Sequence, residues 1–208
     1  MSFTLKRGLD EVFAAEILTD DNDKGYTTSE PFHLIPAGEM GRNADNEKTD
    51  VYFDNGVFAT TGKEGATEIT ITGAALRPAD VARINNKYVD KTTGAVLDTG
   101  EFEPKYFALG GRTKNTDGTY EYFWFLKGTF SIPEQTDKTE DDSTDTNGMT
   151  LTYSAVATKH RFSALGLDNK PMKRVVIDTE TTRIKADQSW TKQVVTPDNL
   201  ETIVEAVA

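Results

Sequence analysis

Residues 105–130 read KYFALGGRTKNTDGTYEYFWFLKGTF, and the second half of this stretch decides the fold. Successive side chains of an extended chain point to opposite sides. Within Tyr120–Phe130, Tyr122, Trp124 and Leu126 therefore share one face, and Phe123 and Phe125 share the other. A strand apolar on both faces is either central between two covering layers or covered on one side by another subunit. Asp117-Gly118 separates it from the run before it, which predicts an antiparallel hairpin. Gly110-Gly111, at the far end of the first run, reads as a bulge or a chain reversal.

The same pattern extends outward from this hairpin. Ala66–Ala74, ATEITITGA, alternates Ile69 and Ile71 with Thr70 and Thr72. Residues 149–160 (MTLTYSAVATKH) and 173–184 (KRVVIDTETTRI) are further strands. Asp54-Asn55-Gly56, between VYF and VFAT, has the chemistry of a tight hairpin turn, and turns are also expected at Thr93-Gly94 and Asp168–Pro171. Six to nine strands follow, mostly antiparallel neighbours. A flanking helix is predicted over Arg77–Tyr88: Pro78 stands in its first turn, and Val81, Ile84 and Tyr88 line one face. A second helix is predicted after Thr196-Pro197, with Leu200, Ile203, Val204 and Val207 as its apolar stripe. The predicted architecture is mainly β, a two-sheet sandwich or partial barrel with one flanking α-helix, in a single domain spanning 1–208. Residues 1–10 read as an N-terminal arm and 186–208 as a C-terminal arm with its helix.

Two acidic stretches read as flexible loops. Residues 39–50 (EMGRNADNEKTD) are polar and rich in turn-formers, and residues 134–147 (EQTDKTEDDSTDTN) contain no apolar residue. The formal charge of −11 is concentrated: residues 1–60 hold 12 acids and 5 bases, and residues 134–147 hold six and one. The remainder is close to neutral, so the acidity belongs to particular surfaces. An acidic chain is also a poor match for a phosphate backbone, which needs Lys and Arg clusters.

Chemistry is sparse. There is no cysteine, and only His33 and His160 are available as imidazoles. Acidic pairs occur at Asp20/Asp21/Asp23, Glu101/Glu103 and Glu140/Asp141/Asp142, but DDNDKG lacks the register and closing glutamate of a calcium loop and reads as a solvated turn. No phosphate-cradling glycine motif, G-x-S-x-G or H-E-x-x-H is present. The expectation is a non-enzymatic protein with no cofactor and no metal. Neither a signal peptide nor a membrane-spanning run is visible, so synthesis and folding in the cytoplasm are expected, away from any membrane. The aromatic strand could be a sugar-stacking platform, but its alternating apolar faces favour core or interface.

Taken in order, GLDEVFAAEI (8–17), TDVYFDNG (49–56), ITITGAALRPADVARINN (69–86) and PKYFALGGRTKNTDGTYEYFWFLKGTFSIPEQ (104–135) resemble the major tail proteins, or tail tube proteins, of long-tailed siphophages of Gram-positive hosts. The resemblance covers residues 8–185. It implies a tail-tube fold and a structural virion protein that self-assembles into hexameric rings, stacked into a tube through which genomic DNA passes without tight binding. It also implies tape-measure and tail-terminator or initiator proteins as partners, and the virion as the final location. On this reading Glu39, Arg42, Asp45, Glu47, Lys48, Tyr52, Phe53 and Phe58 are candidates for contacts between subunits or rings. Asp45, Glu47, Asp50 and Asp54 are candidates for an acidic lumen. The alternatives are a tube protein of a contractile tail or secretion system, and a monomeric carbohydrate-binding β-sandwich.

Overall fold

The structure, a computed structural model, describes residues 3–101, 103–135, 148–185 and 189–207. The chain opens with a 16-residue strand, β1 (Lys6–Asp21), followed by the short β2 (Gly25–Thr28) and β3 (Phe32–His33). Two long strands, β4 (Ala37–Phe53) and β5 (Gly56–Ala74), lead to the helix α1 (Pro78–Ile84) and a small hairpin, β6 (Tyr88–Val89) and β7 (Val96–Leu97). Then come β8 (Tyr106–Asn115), β9 (Tyr120–Phe130), β10 (Glu134–Gln135) and β11 (Gly148–Ala155). The chain finishes with β12 (Arg161–Phe162), β13 (Lys170–Pro171), β14 (Arg174–Asp178), β15 (Thr182–Ile184), the single turn α2 (Leu200–Ile203) and β16 (Val204–Ala206). The fold is mainly β, as the alternation predicts.

One antiparallel sheet organises the molecule, in the order β2-β1-β8-β9-β11-β5-β4. β9 is its pivot. Along one edge β9 pairs with β8, and along the other its first half pairs with β14 and its last residues with β11. The neighbour changes at Leu126 and Lys127: the Leu126 amide donates to the Lys173 carbonyl, while the Lys127 carbonyl accepts from the Val156 amide. From there β11, β5 and β4 fold back over one face of β1, β8 and β9. Phe123 and Phe125 are enclosed between these layers with Val12, Leu109, Ile69, Ile71, Leu151 and Tyr153. The Tyr153 hydroxyl donates across the layers to the Phe107 carbonyl at 2.7 Å. No ladder joins β1 to β4. The result is a partial barrel, open along one seam, made from one continuous sheet instead of two separate ones.

The opposite face of β9 is covered by the end of the same chain. Trp124 and Leu126 pack with Phe162, Ile177, Trp190, Val195 and Ile203. β9 is therefore central between two covering layers, and no second subunit is needed to bury it. Gly110 and Gly111 sit inside β8, opposite Trp124 and Phe123. A Cβ on Gly110 would lie 2.5 Å from the Trp124 ring. These glycines make room for cross-strand aromatics and do not reverse the chain; the bulge beside them is in β1, where Glu11 is the extra residue between Asp10↔Arg112 and Val12↔Gly111.

Several expectations are corrected. Residues 39–50 are not a loop but lie within β4. The N-terminal arm is shorter than residues 1–10, because β1 starts at Lys6 and pairs with β8 from there. In the flanking helix Ile84 is buried and Val81 packs on the core, but the helix ends at Ile84. Tyr88 lies in β6, exposed, because Asn86 takes a left-handed backbone (φ 55°) that no helix continues. The C-terminal helix is one turn; Val204 leaves it to pair with Ile184 in a two-stranded sheet. Ile203 is buried and Leu200 and Val204 pack on the second core, while Val207 is half exposed, so most of the stripe docks on its own chain. Of residues 134–147, Glu134 and Gln135 pair with β11, and the rest lie outside the described residues.

Candidate assembly site

The β4–β5 hairpin changes character along its length. From Ala37 to Ala44 it belongs to the body: Met40 packs on the first core, and β5 carries β11 on its other edge over Thr67–Ala74. Beyond Ala44↔Thr67 the two strands pair only with each other, and β4 has no partner on its outer edge among the described residues. Asp54 lies ten positions beyond Ala44, and at about 3.3 Å per residue this ribbon reaches roughly 30 Å beyond its root. The ladder ends at Phe53↔Gly56. Asp54 and Asn55, with φ of 49° and 63°, form the two-residue turn. Two successive positive φ values are the geometry that matches strand twist in a hairpin. The turn is centred one residue before Asn55-Gly56, and Gly56 closes the ladder.

The ribbon gathers most of the contact residues read from the sequence. Asp45, Lys48, Asp50 and Asp54 are exposed, and Glu47 lies between them in register with Lys63. Tyr52, Phe53 and Phe58 are 64%, 61% and 74% exposed at the tip. The Phe53 and Phe58 rings meet edge to face at 5.2 Å, a geometry that holds an aromatic pair in place without burying it. Asp50 accepts the Thr60 hydroxyl at 2.6 Å across the ladder.

Glu39 and Arg42 do not belong to this group. Both lie on the body section of β4, opposite Thr72 and Ile69. Arg42 stacks its guanidinium 4.0 Å above the Phe123 ring and stands 3.6 Å from the Glu121 carboxylate. Glu121 also accepts from the Lys6 ammonium at 2.9 Å. Burial pushes the Glu121 carboxyl up, but Lys6 and Arg42 outweigh it and hold the group below the usual range. Arg42 thus ties β4 to β9 as part of the body.

The ribbon root is fastened from β14's side. The Lys173 ammonium donates to the Glu64 carboxylate and the Gly65 carbonyl at 2.7 Å each, and to the Thr67 hydroxyl at 3.3 Å. Its hydrogen bond and charge hold the Glu64 carboxyl below its usual value.

Sequence reading missed one polar centre. Asp20, read as part of a solvated turn, is buried against Lys127. Its carboxylate also accepts the backbone amides of Lys159 at 2.9 Å and His160 at 2.8 Å. Burial raises this carboxyl, yet the His160 amide, Lys127 and the Lys159 amide together bring it below its usual value. The available signal was Lys127 itself, a lone cation in an aromatic strand. Asp21 does what a turn residue is expected to do, accepting from the amides of Asp23 and Lys24. No group of three or more His, Asp or Glu residues among the described residues is arranged to hold a metal ion.

No protein-family model matches the chain, and no curated protein matches it. Two solved structures are similar in chain course. One is the sheath–tube complex of an extracellular contractile injection system in its extended state: 10% identity, 79% of this chain and 87% of that chain covered, TM-score 0.42. The other is the tube-terminating cap of the anti-feeding prophage: 8% identity, 85% and 95% covered, TM-score 0.43.

The aromatic strand is not a sugar-binding platform. Phe123, Trp124 and Phe125 are fully buried, and a ring enclosed on both faces offers no surface for stacking a ligand. Exposed aromatics lie elsewhere: Tyr52, Phe53 and Phe58 cluster at the ribbon tip, and Phe3, Tyr88 and Tyr106 stand singly on other parts of the surface.

Proposed function

We propose that the chain is a tail tube subunit of the siphophage major tail protein type, which assembles into hexameric rings stacked into a DNA-conducting tube. The single observation that carries this reading is the β4–β5 ribbon: a two-stranded extension with unpaired outer edges, exposed on both faces and tipped by three exposed aromatics. Unpaired strand edges invite pairing with another chain, and an exposed aromatic cluster marks a contact surface. The core needs neither, because both faces of β9 are already covered within one chain. The ordered sequence resemblance supplies the kind of assembly.

In this proposal Tyr52, Phe53, Phe58 and Lys48 make contacts between subunits or rings, and Glu39, on the body section of β4, makes a separate contact away from the tip. Asp45 and Glu47 line the channel, where like charge holds DNA off the wall over a screening length of about 8 Å at physiological salt. Tape-measure and terminator or initiator proteins would fix the length and the ends of the tube. The natural place of the assembled chain is the virion.

Negative-stain electron microscopy of the purified protein over a concentration series tests the proposal. Rings or tubes of uniform diameter are expected. A monodisperse monomer at every concentration, salt and pH tried would overturn it.

A further inference from the structure

We propose that a basic cleft at the ribbon root receives the acidic ribbon tip of a second copy, so that copies join tip to root. This rests on the tube reading above and names the contact that would propagate it.

The cleft, about 370 Å³, is bounded by Arg42, Glu64, Thr67, Phe125, Lys173 and Arg174. It gathers three cations and one carboxylate in a chain whose formal charge is −11. The Lys173 ammonium is occupied by Glu64, Gly65 and Thr67. Arg42 stacks on Phe123 and reaches the Glu121 carboxylate at 3.6 Å, a partner it shares with Lys6. Arg174 is exposed and has no carboxylate within 4.0 Å among the described residues. Both guanidinium groups stand 5.8 Å from the centre of the same Phe125 ring. Two like charges over one apolar floor repel each other, and a carboxylate placed between them would take charge-assisted hydrogen bonds from both.

The ribbon tip has the complementary character. Residues 49–62 contain Asp50 and Asp54 and no basic residue. Both aspartates are exposed, with Asp54 at the apex of the turn. Tyr52, Phe53 and Phe58 flank them and supply apolar area for the same contact. A chain cannot fill its own cleft, since its tip lies roughly 30 Å from its root along a paired ribbon. The contact therefore joins two different surfaces on two copies, the heterologous kind that closes into a ring or propagates along an axis. Its repeat would be set by ribbon length.

Sedimentation and negative-stain microscopy of wild type, Arg174→Glu and the double variant Asp50→Lys/Asp54→Lys test the pairing, with thermal melting as the folding control. Each variant is expected to melt as wild type does and to need about tenfold more protein, or more, to assemble. An equimolar mixture of the two is expected to restore assembly, because the lysine tip of one fits the glutamate cleft of the other. If Arg174→Glu lowers the melting temperature, Arg174→Gln replaces it, with a smaller rise expected. Wild-type assembly without any effect of either variant overturns the pairing and leaves the tube reading standing. Variants that fail without rescue on mixing also overturn it. Failure of wild type itself to assemble removes the tube reading and the pairing with it.

Discussion

The β8–β9 and β4–β5 hairpins use the same backbone ladder for opposite ends. In β8–β9 the central side chains, Phe107–Leu109 and Phe123–Leu126, are all enclosed, and the two glycines of β8 leave room for the aromatics of β9. In the outer half of β4–β5 almost nothing is enclosed, and the aromatics present are at the tip with their faces to solvent. The first hairpin is held by burial, and the second by hydrogen bonds and cross-strand pairs that contribute a few tenths to about 1 kcal/mol each. A ladder alone is marginal in water. The ribbon is therefore affordable only because its root is rigid, fastened by Lys173 below and by Arg42 on Phe123. The comparison can be broken at either end, and the predictions run from the largest loss of monomer stability to the smallest.

Trp124→Ala attacks the enclosed hairpin at its centre. Trp124 is fully buried and packs beside Trp190 with ring centroids 6.0 Å apart. The loss of transfer free energy plus the cavity left behind should cost about 3–5 kcal/mol, read as a shift of the urea midpoint. A shift no larger than that of a surface variant would show that the C-terminal cover contributes little.

Lys127→Met tests the charged exception inside the same strand. The Lys127 and Asp20 side chains are only 8% and 7% exposed, so removing the cation strands a buried carboxylate; about 3 kcal/mol is expected. The pH dependence has a definite sign. Asp20 and Glu121 are both held below their usual values in the folded state, so the unfolded chain binds more protons in the window between the two values. Their stabilisation is complete at neutral pH and is lost as pH falls from about 4 through the folded-state values. Lys127→Met should flatten this acid limb, measured by urea unfolding at a series of pH values.

Tyr153→Phe is the milder version of the same test. It keeps the ring between Phe130 and the sheet and removes only the hydroxyl that reaches the Phe107 carbonyl. About 1 kcal/mol is expected, since the carbonyl loses a buried partner but no cavity opens. An unchanged midpoint would mean that this link between the two layers adds nothing.

The two hairpins also differ in how far they could be read from sequence. β9 was legible because burial on both faces forces aromatics onto every position from Tyr122 to Phe125. Residues 66–74 were legible because Ile69 and Ile71 turn to a core while the threonines turn away. EMGRNADNEKTD has the pattern of a loop because period-2 alternation exists only where one face is buried, and most of this strand is exposed on both. Met40 and Arg42 are the positions that face the core, and Arg42 carries a cation whose stacking on Phe123 no local pattern reveals. At the C-terminus, Leu200, Ile203, Val204 and Val207 have helical spacing, but the free edge of Thr182–Ile184 offers a ladder, and tertiary pairing overrides the local preference after one turn. The burial of Asp20 leaves no local signal for a related reason: its partners are 107 and 140 residues away.

The last prediction cuts the ribbon itself. Deleting residues 41–48 would remove Arg42 from Phe123 and destroy the body section of β4, so loss of assembly in that variant would report only misfolding. Replacing residues 48–62 by Asn-Gly is the cleaner cut, because Glu47 and Lys63 already face each other across the ladder and a two-residue turn closes such a pair. None of the side chains described over residues 48–62 is buried. The monomer should keep its urea midpoint to within about 0.5 kcal/mol, as exposed changes away from buried contacts do. Assembly should be lost, because the tip that carries Asp50, Tyr52, Phe53, Asp54 and Phe58 is gone. A truncated chain that still builds rings and tubes would place the contacts on the body, along the open seam between β1 and β4, and would reduce the ribbon to an ornament of the fold.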